Sequence, residues 1–221
     1  LLRLEDLDGL QCVEDGVYQL SDHVFDNQTF ANLEFTPGSG ETLVLQNVEF
    51  INCKTSPGTS RVTSGTKLTK VLFDNLDCGD ALRVSAAVEL NQVVVKGNKP
   101  AKLLIQPDDD DADFAVAMGN DVPFKVDVTD YSGETVVIGI PACSVVRDPS
   151  RHVVIRREHE AIITSPDSGL STLSFWKIYL KKVKVFGCDE GVFSLPPSSH
   201  KKHGVVMKEK QKLENLGLCF D

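Results

Sequence analysis

Val48-Glu49-Phe50-Ile51-Asn52-Cys53 sets a shape that returns as Val71-Leu72-Phe73-Asp74-Asn75 and as Val93-Val94-Val95-Lys96-Gly97-Asn98. In each copy an apolar residue is followed two places later by another, then by Asn or Gly. The copies start at positions 48, 71 and 93, spacings of 23 and 22 residues. Hairpin proteins place successive strands and turns every ~8–12 residues. The longer interval leaves room for several short strands and their bends in each coil of a solenoid. Stacked coils put Val48 over Val71 over Val93, and Phe50 over Phe73 over Val95, about 4.8 Å apart. Asn52, Asn75 and Gly97 then share a corner, where Asn and Gly tolerate left-handed backbone. Val183-Lys184-Val185-Phe186-Gly187-Cys188 reads as a later copy.

The neighbouring segments fit the same pattern. Thr42 to Phe50 alternates through Leu43 and Leu45, changes phase at Gln46-Asn47, and resumes with Val48 and Phe50. A bend between two short strands gives such a phase change. Phe25, Phe30, Leu33 and Phe35 precede the turn signal Thr36-Pro37-Gly38-Ser39-Gly40. Val126 follows Val93 by 33 residues, so loops interrupt the later coils. Val136–Ile140, Val145-Val146, Val153–Ile155, Phe175–Leu180 and Val183–Phe186 read as further strands. Val205–Leu216 reads as a helix ended by Gly217. The expected organisation is an N-terminal cap over 1–21, a β-helix over 22–195, and a linker with a helix over 196–221. A β-sandwich or jelly roll is the competing all-β reading.

The V-x-F-x-N-C shape, its period and its Asn corner resemble the right-handed parallel β-helix of the pectin-lyase-like superfamily. The similarity covers residues 22 to 188 and marks a fold, not a catalytic motif. That superfamily includes polysaccharide lyases and hydrolases alongside non-catalytic adhesins and structural modules. The resemblance therefore implies two functions. One is a non-catalytic binding or structural module recognising carbohydrate or a protein partner. The other is a Ca²⁺-dependent polysaccharide lyase, in which an Arg or Lys base acts on a uronate.

Composition bounds the choice. The chain has 221 residues, 41% of them apolar and 25% charged, with 23 Lys and Arg against 32 Asp and Glu. The resulting charge of −9 disfavours nucleic acid as a partner. Lysines crowd the last quarter, where a basic face could meet an anion or an acidic partner. No apolar run is long enough for a transmembrane helix. A chain that begins at Leu1 reads as a fragment or processed product, so the lack of a visible signal peptide says little. None of the six cysteines forms a C-x-x-C pair. Buried free thiols fit a cytoplasmic protein, whereas the acceptor pattern Asn27-Gln28-Thr29 leaves secretion open.

Three sets of residues carry candidate chemistry. Asp108, Asp109, Asp110, Asp111 and Asp113 gather carboxylates in a loop that could hold Ca²⁺, although the loop lacks the EF-hand spacing. Arg147, Arg151, His152 and Arg156 form a basic segment suited to an anionic ligand. Trp176 and Tyr179 could stack on a sugar. His152 with His159, and His200 with His203, lack the spacing of a helical zinc site. No serine-hydrolase elbow, P-loop or dinucleotide fingerprint is present.

Overall fold

A computed structural model of the chain describes residues 7–55, 60–108 and 122–221. Two long sheets wind together into a parallel β-solenoid. In the first sheet, strands Val17–Asp26, Thr42–Ile51, Thr66–Asp74, Val93–Lys96, Val126–Asp127 and Val145–Val146 follow one another in parallel. Strand Gln11–Glu14 pairs antiparallel on the outer edge of Val17–Asp26. In the second sheet, Glu34–Phe35, Ser60–Val62, Ala81–Ser85, Lys102–Gln106 and Glu134–Ile138 also run parallel. Parallel neighbours one coil apart exclude the sandwich reading.

The repeat residues stack as their spacing implies. Val48 pairs with Val71, and Phe50 lies between Phe25 and Phe73. The rings of Phe25 and Phe50 stack with centroids 5.0 Å apart, and those of Phe50 and Phe73 with centroids 5.5 Å apart. Each such aromatic contact adds about 1 kcal/mol to what burial alone contributes. Leu20, Leu45, Leu68 and Leu90 form a second inward column, all buried.

Left-handed residues turn the chain at two columns. Asp22, Asn47, Lys70 and Gln92 all have positive φ near 50–56° and lie inside the first-sheet run. One such residue per coil reverses the pleat, so the inward set changes from Leu43 and Leu45 to Val48 and Phe50. Asn47 Nδ2 donates to Asp22 Oδ1 at 2.7 Å, which links two members of the column. The second column is Asn27, Asn52, Asn75 and Gly97, also at positive φ. The ladder continues through this corner. Asn52 N donates to Asp74 O, Asn75 N to Lys96 O and Gly97 N to Asp130 O, at 2.8 to 3.1 Å.

The last part departs from an all-β chain. Phe175–Val185 is a helix, with the Ser174 side chain accepting from Lys177 N. The Val183–Cys188 copy of the repeat is thus a helix end, and Phe175–Leu180 is not a strand. Trp176, Leu180 and Val183 are its buried residues, at helical spacing. A helical turn also covers Glu160–Ile163, and His203–Asn215 forms the last helix. Strand Glu190–Ser194 runs antiparallel between Glu134–Ile138 and His152–Arg156. The fold is thus mixed α/β, dominated by the parallel solenoid.

These late strands are covered on both faces. Val137, Val154 and Val192 belong to the core inside the coils. Their sequence neighbours Val136, Ile138, Val153, Ile155 and Phe193 belong to a second core with Trp176, Leu180, Leu213 and Phe220. Alternate residues of a strand face opposite ways. The helices therefore seat on the outer face of the second sheet. The C-terminal segment closes the remaining strand edge, where Val154 N donates to Phe220 O at 2.7 Å.

The Asn75–Gly97 step tests the corner. A Cβ on Gly97 would lie 2.1 Å from Asn75 Oδ1, the atom that accepts from Asn98 N. Gly97→Ala should destabilise the chain by about 2–3 kcal/mol, from strained φ and the overlap. Asn75→Ala in the same chain should return part of that loss. Urea unfolding of the two single variants and the double variant measures the coupling; strictly additive losses would contradict this account of the corner.

Candidate functional site

A cleft of about 690 Å³ opens where the last coils meet the helices. One wall is the corner Ser132-Gly133-Glu134, which begins strand Glu134–Ile138. Its placement follows from Tyr131, whose buried hydroxyl donates to Pro100 O at 2.7 Å. That hydroxyl would lie 2.1 Å from a Cβ on Gly133, so a side chain there would force the buried ring to move. The opposite wall is the segment from Leu195 through Pro197 to His203. Phe175 and Tyr179 contribute aromatic surface from their helix.

Polar groups within the cleft are of both kinds. Tyr179 donates its hydroxyl to Glu134 Oε1 at 3.2 Å, and Lys102 Nζ lies 3.8 Å from Glu134 Oε2. Burial, reinforced by the Glu134 charge, raises the Tyr179 phenol well above its usual range, so it remains a donor. Arg151 donates from its guanidinium to the carbonyl of Tyr131. Ser194 Oγ accepts from Thr135 N at 2.9 Å, which leaves the hydroxyl proton to offer. His203 Nδ1 lies 2.7 Å from Pro196 O, a carbonyl that only accepts, so Nδ1 carries a proton. His200 Nδ1 accepts from Lys202 N at 3.2 Å, so its Nε2 donates.

Two of the six proposed ligand-binding residues, Arg151 and Tyr179, line this cleft. The other four have different positions. Arg147 folds back onto the carbonyls of Ala142 and Val145 at 3.0 and 3.2 Å. Arg156 pairs with Glu190 at 3.4 Å and donates to Asp221 O at 2.7 Å. Trp176 is fully buried against Phe220, with ring centroids 4.5 Å apart, and has no face open to a sugar. His152 is buried in strand His152–Arg156. Asp108 lies 3.5 Å from Arg61. Asp109, Asp110, Asp111 and Asp113 lie outside the described residues. Among the described residues, no group of three or more His, Cys, Asp or Glu is placed to hold a metal ion.

Glu134, Ser194, His200 and His203 are among the cleft groups missing from the sequence-based set. Glu134 and Ser194 stand in ordinary strands and carry no local signal. The Pro-Pro run before His200 marks an extended, stiff segment, and that stiffness makes it a wall. No sulfur pairs with another: Cys53, Cys78 and Cys188 are buried free thiols, and Cys12, Cys143 and Cys219 are exposed. Among the described residues, no helix is long and apolar enough to cross a membrane.

His152 predicts a pH dependence. Its Nδ1 lies 3.1 Å from Asp148 O, while its Nε2 is buried without a partner. Burial, then the nearby Arg151 charge, lowers its pKa below 6.5. Burial also lowers that of His159, with Arg156 adding to the effect. The unfolded chain therefore takes up these protons first. Stability is fully present above pH 6.5 and declines as pH falls from there through the folded values. His152→Leu should flatten part of that decline, with His159 supplying the rest. Chemical unfolding at a series of pH values checks this, and an unchanged slope in the variant would refute it.

No protein-family model, curated protein or solved structure matches this chain.

Proposed function

We propose that the chain is a non-catalytic binding module that takes a carbohydrate into the cleft between its last coils and its helices. The observation that carries this reading is the meeting of aromatic surface, Phe175 and Tyr179, with the fixed polar groups Glu134, Arg151 and Ser194 in one concavity. A sugar offers an apolar C–H face and a ring of hydroxyls. Aromatic rings take the first, and donors and acceptors of known direction take the second. The polar groups are already tied to the scaffold, so ligand binding orders few side chains. We also infer a right-handed coil, from the general handedness of parallel crossover connections.

A Ca²⁺-dependent lyase is the second reading, favoured by the presence of Arg151 in the cleft beside Tyr179. The chemistry argues against it. A guanidinium remains charged in proteins, and Arg151 is held by the Tyr131 carbonyl. It suits a fixed positive charge better than a base.

Titration calorimetry against neutral and uronate-containing oligosaccharides tests the proposal. At least one class should bind. Tyr179→Ala should weaken binding by roughly tenfold or more, and Glu134→Gln should shift preference toward acidic sugars. Absorbance of unsaturated uronate products should remain flat with and without Ca²⁺. Failure of every sugar to bind, or undiminished binding to a folded Tyr179→Ala variant, would sink the reading.

A further inference from the structure

A second concavity, about 490 Å³, lies between the Phe175–Val185 helix and the His203–Asn215 helix. Its apolar surface is exposed. Leu173 is 76% exposed, Val205 58% and Ile178 41%. Eight large apolar side chains are exposed among the described residues, and three of them line this one groove. Clustering of that kind on a small surface marks a contact site more than chance does.

The charge around the groove has one dominant sign. Lys182 and Lys202 stand at its rim, each beside a further lysine in sequence, Lys181 and Lys201. Lys177, on the same helix, donates to Leu170 O at 2.9 Å, and Lys184 pairs with Glu160. Among the described residues, no carboxylate forms an ion pair with Lys181, Lys182, Lys201 or Lys202. Lys182 instead lies over the Tyr179 ring, 5.3 Å from its centroid. The His203–Asn215 helix begins with no side-chain cap and no acidic residue in its first turn. Its positive end therefore adds to the local field. At the groove, Glu209 alone carries the opposite sign. Its Oε2 is buried with no hydrogen-bond partner.

The geometry points to a docking site for an acidic amphipathic peptide segment of a partner protein. Its apolar side chains fill the groove against Leu173, Ile178 and Val205, and its carboxylates meet Lys182 and Lys202. This inference is independent of the carbohydrate reading, and its concave, grooved form suits side chains better than a flat lipid surface. The chain as a whole carries −9, so the attraction is local. It is felt within about one Debye length, ~8 Å at physiological salt.

Panning the full chain against a phage-displayed random peptide library tests it, followed by fluorescence anisotropy with the enriched peptides as labelled synthetic probes. The expected result is enrichment of sequences that combine large apolar residues with net negative charge. Binding should weaken with added salt. Lys182→Glu with Lys202→Glu, and separately Val205→Ser with Ile178→Ser, should each reduce affinity by roughly tenfold or more. Circular dichroism and thermal unfolding should remain close to the parent, because Ile178, Lys202 and Val205 are exposed and the Lys182 ammonium is tied to no carboxylate. Enrichment of basic peptides, or affinity indifferent to both variant pairs, would overturn the proposal. So would binding of the chain to anionic phosphatidylglycerol vesicles with no peptide enriched. Concentration-dependent dimerisation abolished by Val205→Ser with Ile178→Ser would likewise overturn it, since the groove would then belong to a second copy. Tyr179 is left intact throughout, so a negative result here leaves the carbohydrate test unaffected.

Discussion

The structure depends on turning the backbone once per coil without losing the parallel hydrogen bonds. Asn27, Asn52, Asn75 and Gly97 do this by taking left-handed backbone at one corner while their N–H groups continue to donate to the next coil. An ordinary L-residue pays about 1–2 kcal/mol in that region, and Asn and Gly much less. Repeated in four successive coils, the corner fixes the register. Register in turn fixes which side chains face inward, because a slip of one residue would turn Phe25, Phe50 and Phe73 outward together. The stacked rings are thus a consequence of the corner as well as a support for it.

A solenoid of this kind has open ends and flat walls, and the two ends are finished differently. At the first, an antiparallel strand covers the edge of Val17–Asp26. At the other, the second sheet ends in antiparallel strands and acquires a second apolar face. Thr135-Val136-Val137-Ile138 and Val153-Val154-Ile155 are continuous apolar or buried runs, unlike the alternating Thr42–Phe50 segment. Continuous runs signify strands buried on both faces. The outer face needs a cover, and the helices with Trp176, Leu180 and Leu213 supply it.

Much of this was legible in the sequence. The spacing of 23 and 22 residues, the Asn corner and the phase change at Gln46-Asn47 each correspond to a stacked feature. The Phe175–Val185 helix was not. Val183-Lys184-Val185-Phe186-Gly187-Cys188 resembles the rungs, and β-branched and aromatic residues hid a helical period visible in Trp176, Leu180 and Val183. Ser174 was the local sign, a helix N-cap residue ahead of that run. The cleft was legible only in part, because its walls come from segments near 101, 133, 151, 179, 194 and 203. Residue type singled out Arg151 and Tyr179. Nothing local distinguished Glu134, whose role arises from the Tyr179 hydroxyl reaching it across the fold.

The placement of both concavities follows from the same packing. Regular coils present strands about 4.8 Å apart with side chains at even height, a poor shape for enclosing a ligand. Helices laid on the outer face of such a sheet meet it along a line and leave depressions at the margins. The cleft lies at one margin, the groove between the helices at another, and Phe175, Tyr179 and Pro196 line both. Those three side chains must hold position for either surface to exist. Tyr179 is held by its hydrogen bond to Glu134 and by its ring against Phe193, with centroids 4.4 Å apart. Phe193 in turn rests in the second core, on the strand next to the one that Glu134 begins. Both concavities are thus anchored to the second sheet, in coils that continue those whose register the corner residues set at the first.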